Sequence, residues 1–305
     1  MINIVRNHGV VCDDDGSNSQ KYHSKEGSLA LTTAGDFGDK PLTAKLSEFI
    51  KSWEFYDFEP HIMRGTRNSL TARFENKEEM PILNDDGEYL ENTLLYYSKN
   101  HSDKFDEVNQ ELYRCLGISL EVSGNEELRV KEVDGQKIIA FFTLVRSLDV
   151  LLTRGLSPLP VPHFYENCNK LSGLSDGTLS IIGYYVLLHQ DDLPELIGIE
   201  EPERNLHPAI LSAVVSILKK LSQRTQMIIT THSSQLLDCF SSDEINSDIS
   251  VLLLSKKDAS GTQVFRLGEL SKKREDLAEW MQDFGVGSAV YHSNLLQELL
   301  EPQYA

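Results

Sequence analysis

The chain has 305 residues, 40% of them hydrophobic and 25% charged, and a formal net charge of −18. Such a chain suffices for one large globular domain or two modest ones. Its acidity excludes nucleic-acid binding by overall positive charge, although a local basic groove stays open.

In chain order, Met1-Ile2-Asn3-Ile4-Val5-Arg6 lacks the long apolar core and cleavage site of a signal peptide. No run of eighteen apolar residues follows, so no membrane span is expected and the predicted location is cytoplasmic. Residues 11–25 are polar around Asp13-Asp14-Asp15-Gly16-Ser17-Asn18-Ser19 and read as a hairpin tip or loop. Leu46, Phe49 and Ile50 recur at helical spacing and predict a helix from Leu42 to Trp53. Phe55 to Phe58 alternates as a short strand, and the charged residues 75–87 read as a surface loop. A helical stretch is predicted from Leu90 to Leu116, with Leu90, Leu94, Leu95 and Tyr97 on one apolar face. Strands are expected at Ile118–Val122 and Lys137–Phe142, with Asp134-Gly135 as a turn. Pro158, Pro160 and Pro162 punctuate an irregular segment.

The second half is more regular. A helix starts near Ser175, a buried strand runs Leu196–Ile199, and a helix opens at Pro208 with Ile210, Val214, Leu218 and Leu221 as its stripe. A second buried strand is expected at Met227–Thr231, and Ile249–Leu254 pairs with Val264–Leu267 through Gly261. Strand, helix, strand with continuous apolar strands predicts a parallel pair, joined by a right-handed crossover, in a sheet covered on both faces. Cys12, Cys115, Cys168 and Cys239 are far apart and read as free thiols of a reducing compartment. The nine histidines show no zinc-site spacing.

Three motifs carry chemistry. In Leu196-Ile197-Gly198-Ile199-Glu200-Glu201-Pro202, a strand ends in two acids at the sheet edge where ligands bind in α/β folds. One carboxylate there can hold the water shell of Mg²⁺ and the next can orient water against a γ-phosphate; a solvated loop start is the alternative. Leu174-Ser175-Asp176-Gly177-Thr178 offers capping groups and free N–H donors at a helix start, as a phosphate site or as an ordinary cap. In Ile228-Ile229-Thr230-Thr231-His232-Ser233, His232 either donates to a phosphate or is structural.

In this order the motifs resemble the stand-alone AAA/ABC ATPases of the RecF, OLD and SMC-like group. Residues 174–178 resemble the ABC signature, Ile197–Pro202 resembles Walker B with its catalytic glutamate, and Glu203-Arg204-Asn205-Leu206-His207-Pro208 resembles the D-loop. Thr230–Ser233 resembles the switch-histidine loop, and Trp53–Phe58 with Met63-Arg64, and Asp283–Gly287, are similar to that group as well.

The resemblance implies an α/β fold, a P-loop NTPase of the ABC-ATPase head type with a helical subdomain. It implies ATP and Mg²⁺ as cofactors, with Glu200 holding Mg²⁺ through water, Glu201 as general base and His232 as γ-phosphate sensor. Ser175, Asp176 and Gly177 would bind phosphate across a dimer. The expected parts are a remnant of the ATPase lobe over 1–87, a helical signature subdomain over 88–180 and the C-terminal lobe over 181–305.

The departure is the P-loop: no G-x-x-x-x-G-K-[ST] occurs. Gly35-Asp36-Phe37-Gly38-Asp39-Lys40-Pro41 is one residue short with Pro41 in place of the hydroxyl, and Gly65-Thr66-Arg67-Asn68-Ser69 lacks the lysine. The Q-loop glutamine has no assignable position. The chain is expected to be a fragment, half of a split enzyme, or a degenerate binding module. Its expected partners are a second copy or a P-loop-bearing chain, with DNA reached through a complex and no membrane. The alternative function is a non-catalytic interaction subunit of a DNA-repair or phage-defence complex. No nuclease tract of the TOPRIM kind is present.

Overall fold

The computed structural model describes residues 2–5, 8–13, 15–18, 20–23, 41–64, 83–123, 128–132, 170–256 and 261–292. Three short strands, β1 (Ile2–Val5), β2 (His8–Val11) and β3 (Gln20–His23), form an antiparallel meander. The polar tract between β2 and β3 is the expected hairpin tip. Gly16 at φ 86° donates to the Asp13 carbonyl at 2.8 Å, and the Asn18 amide donates to the Asp13 carboxylate at 2.7 Å.

Helix α1 (Pro41–Lys51) ends two residues before the expected Trp53, which opens strand β4 (Trp53–Tyr56). The Trp53 ring sits edge-on to Phe49 at 5.5 Å, so the apolar spacing runs one turn past the point where the backbone becomes extended. The strand expected at Phe55–Phe58 is shifted accordingly. A single turn, α2 (Pro60–Met63), follows. The stretch expected as one helix is two, α3 (Leu90–Asn100) and α4 (Ser102–Leu116), broken at His101 (φ −140°, ψ 65°). Gly117 at φ 68° closes α4, and β5 (Ile118–Val122) pairs antiparallel with β6 (Leu128–Glu132). The sequence reading had no strand at β6. The strand expected at 137–142, the turn at 134–135, the prolines 158–162 and both P-loop-like stretches (35–40 and 65–69) lie outside the described residues.

Helix α5 (Asp176–Leu188) is buried at every position from Gly177 to Leu188, as a helix apolar on all sides must be. It packs against the central sheet, in the order β4, β7 (Leu196–Glu200), β8 (Gln226–Thr230), all parallel. The link from β7 to β8 is a 3-10 turn at Pro208–Ile210 running into α6 (Leu211–Ser222), so Pro208 opens the turn rather than the α-helix. Adjacency and parallel direction match the sequence reading.

Coverage matches for β7, where Leu196, Ile197, Gly198 and Ile199 are all buried, but not for β4 and β8. Tyr56, Ile197, Ile199, Met227 and Ile229 face the main core with α5 and α6. The opposite face carries the row Phe55, Gly198 and Ile228, in register across the three strands. Phe55 is 60% exposed and Ile228 47%. The Phe55 ring lies over Gly198, where a Cβ would collide with it. Strand β8 therefore alternates between half-buried and exposed instead of being buried throughout, and it is an edge strand among the described residues.

The C-terminal part begins with α7 (Ser234–Leu237) and α8 (Ser242–Ser247), the latter held by a Ser241/Glu244 capping box. A hairpin of β9 (Leu252–Lys256) and β10 (Thr262–Arg266) is the expected one, with the strand ends shifted by one to three residues. Helices α9 (Leu267–Lys273), α10 (Glu275–Phe284) and α11 (Val286–His292) complete it. Leu267, Leu277, Met281, Val286 and Val290 form a second core, distinct from the main one that runs from Tyr56 to Leu221. Among the described residues, no helix is long and apolar enough to cross a membrane.

Candidate functional site

The C-terminal ends of β7 and β8 bring together three of the expected residues. Glu200 is exposed and stands opposite Thr230 in the register. Glu201 leaves the strand but keeps its ladder bond, its N–H donating to the Thr230 carbonyl at 2.9 Å. Its φ of 44° is in the left-handed region, a costly conformation for a glutamate. The turn is closed by Arg204 N–H donating to the Glu201 carbonyl at 2.8 Å. His232 is 90% exposed, and its Nε2 lies 4.0 Å from Oε1 of Glu201. That is too long for a hydrogen bond but within ion-pair range if the imidazole is charged.

Two side chains that the sequence reading left without a role organise this edge. Thr231 Oγ1 donates to Glu203 Oε1 at 2.5 Å and accepts from the Ser233 N–H at 2.9 Å. Ser233 Oγ in turn accepts from Leu236 N–H at 3.1 Å, capping α7. Glu203 and Thr231 stand in the sequence only as neighbours of the acidic and histidine motifs, whereas the Ser233 cap of the helix through Leu236-Leu237 is legible there and is borne out.

The signature segment is a helix start, as expected. Ser175 Oγ accepts from the Thr178 N–H at 3.2 Å and lies 2.7 Å from Thr178 Oγ1. The Asp176 carboxylate accepts from Arg64 at 2.5 Å, and the same guanidinium nitrogen donates to the Leu174 carbonyl at 2.8 Å. Gly177 has a packing reason to be glycine: a Cβ there would lie 2.6 Å from the carbonyl oxygen of Asn205, itself at φ 64°. The signature helix thus meets the acidic loop through Asn205, and Arg204 of that loop pairs with Asp57 beyond β4.

Among the described residues no cluster of three or more His, Cys, Asp or Glu is placed to hold a metal ion. A hydrated Mg²⁺ does not need one. It keeps most of its waters and takes one or two carboxylates together with substrate phosphates, and exposed Glu200 at a sheet edge suits that role.

The fold is mixed α/β, a short parallel sheet with helical parts, bearing paired acids and a histidine at its C-terminal edge. Residues 169–238, which contain all three motifs, match the family model described as AAA domain, putative AbiEii toxin, Type IV TA system. The motif-bearing segment is therefore similar to an AAA-type ATPase domain. No curated protein sequence matches the chain. Solved structures are similar as well, two of them being the following. One belongs to work described as structural biochemistry of ATP-driven dimerization and DNA stimulated activation of SMC ATPases, at 17% identity and a TM-score of 0.34, covering 64% of this chain and 99% of that one. The other is the Smc head domain with an extended coiled coil bound to the C-terminal domain of ScpA from Pyrococcus furiosus, at 12% identity and a TM-score of 0.37. That alignment covers 62% of this chain and 41% of the other, so this chain spans less than half of that structure's length.

Proposed function

We propose that the β7–β8 edge is the acid-and-histidine half of an ATP-hydrolysing site, completed by a P-loop-bearing segment or partner chain. The observation that carries this reading is the pairing of Glu201 with His232 across 4.0 Å at the ends of adjacent parallel strands. Glu201 takes the proton of the attacking water, and His232 donates to the γ-phosphate oxygen. Glu200 would hold Mg²⁺ through water, and the ion would neutralise phosphate charge. Across a dimer, Ser175, Asp176 and Gly177 present the α5 N-terminus to a partner's nucleotide, with Arg64 neutralising the Asp176 carboxylate that would otherwise repel it.

The need for completion is supported by two features. The sequence holds no G-x-x-x-x-G-K-[ST]. Phe55 and Ile228 are exposed on one face of the sheet, and β8 has a free edge among the described residues. We take the site to work in the cytoplasm. The expected parts 1–87, 88–180 and 181–305 serve as lobe, signature subdomain and lobe. The open apolar face equally favours a second reading, a non-catalytic subunit that docks through it, with DNA reached through the complex.

The test is steady-state ATP turnover. The chain alone should hydrolyse ATP at the background rate, because the phosphate-cradling loop is absent from its sequence. Joined to a P-loop strand and helix it should turn over with Mg²⁺, and Glu201→Gln should lower kcat by about a hundredfold or more. Tight assembly with the P-loop unit but no turnover would favour the docking subunit.

A further inference from the structure

Glu203 is half-buried, yet only one of its carboxylate oxygens has a partner. Oε1 accepts from Thr231, while Oε2 is sealed from solvent with no hydrogen bond. A carboxylate kept in this position costs desolvation, so its one bond has to matter. That bond ties the turn carrying Glu201 to the loop carrying His232. Through Thr231 Oγ1 it reaches the Ser233 N–H, and through Ser233 it reaches the start of α7. Helix α11 packs on that same start, with Gly287 against the Ser234 carbonyl.

We propose that Glu203 and Thr231 form a positioning bridge that holds His232 against Glu201 and links the pair to α7 and α11. This rests on the reading of Glu201 and His232 as base and sensor. Glu203 touches neither reacting group; it acts through Thr231. With His232 so exposed and its ring outside hydrogen-bond range of Glu201, the backbone of the 231–233 loop is what sets its position. Cutting the bridge frees that loop without removing either reacting side chain.

The test uses the full chain and an observable that does not depend on turnover. The NMR resonance of the His232 ring Cε1–H reports whether Glu201 is beside it. In the wild type, Glu201→Gln should move that resonance. The same change made in Thr231→Val, which keeps the shape and loses the hydroxyl, should move it far less. Thr231→Ser should restore the response. Amide exchange at Ser233 should rise by about tenfold in Thr231→Val and Glu203→Ala while β7 stays protected, and the double variant should be no worse than either alone. An undiminished Glu201→Gln response in Thr231→Val overturns the bridge, as does a wild type in which Glu201→Gln leaves His232 unmoved. Should Glu203→Ala fail to fold, the near-isosteric Thr231 pair decides. If the P-loop-completed assembly shows no turnover that depends on Glu201, the ATPase reading falls while these resonances still decide the bridge. If turnover is present, Thr231→Val should lower kcat and leave KM unchanged, and Thr231→Ser should recover it.

Discussion

At the scale of single residues, strain marks the candidate base. Glu201 holds φ 44°, a region where a residue with a long side chain pays for its conformation. Asparagine tolerates that region better, so Glu201→Asn should raise stability by about 0.5–1 kcal/mol while removing the base. Glu201→Val, β-branched at the same φ, should lower it. Thermal unfolding of the two variants checks this, and equal effects would mean that the backbone here carries no strain. The acid pair and His232 were legible in the sequence because a strand ending announces itself through apolar residues followed by carboxylates. Glu203, Thr231 and Arg204 were not read as organisers, since their partners come from turns whose approach only the folded chain sets. Arg64 stood in a tract noted for its resemblance, but its bond to Asp176 spans 112 positions and no local pattern encodes it.

At the scale of elements, glycines separate tight joints from loose ones. A Cβ at Gly177 would meet the Asn205 backbone, and one at Gly287 would meet the Ser234 backbone. Neither neighbour can swing aside, so Gly177→Ala and Gly287→Ala should each cost about 1–3 kcal/mol. At Gly198 the obstacle is the exposed Phe55 ring, which can rotate away, and Gly198→Ala should stay within about 0.5 kcal/mol. Chemical denaturation of the three variants orders them; a large loss at Gly198 would show that the Phe55 ring is fixed. Helices α5 and α6 and strands β7 and β8 were read nearly in place because capping at Ser175 and the apolar runs are local signals, whereas α8, α9, α10 and α11 had no counterpart in the sequence reading. The errors came from tertiary effects. Trp53 packs on Phe49 as if the helix continued, His101 interrupts a pattern whose apolar faces continue, and β8 is apolar on a face that is open.

At the scale of the whole molecule, one face of the parallel sheet is covered and the other exposes Phe55 and Ile228 on its flanking strands, against a net charge of −18 that favours solubility. Leu252, Leu254 and Val264 add a second exposed apolar face on the β9–β10 hairpin. The chain alone should therefore self-associate in a concentration-dependent way, and Phe55→Thr with Ile228→Thr should reduce that association at little cost in stability. Sedimentation velocity across concentrations tests it; no difference between wild type and variant would mean that this face is not the sticky one.

Stability should also depend on pH through His189, at the end of α5. Burial holds its imidazole below the ordinary histidine value, with Glu107, 3.0 Å from Nδ1, and Glu111 pulling the other way. The unfolded chain then takes up the proton first as pH falls through about 6.5, so stability drops below that pH. His189→Gln should make the fall in Tm between pH 7.5 and 5.5 shallower, and an unchanged slope would remove His189 as its source.

In the proposed function, Glu201 and His232 form one half of a site whose phosphate-binding half comes from a P-loop unit. ATP turnover by the chain alone and by the chain joined to a P-loop strand and helix tests it most directly. Turnover should stay at background for the chain alone and become Mg²⁺-dependent when it is joined, with loss in Glu201→Gln. Robust turnover by the chain alone, abolished by the same substitution, would contradict it.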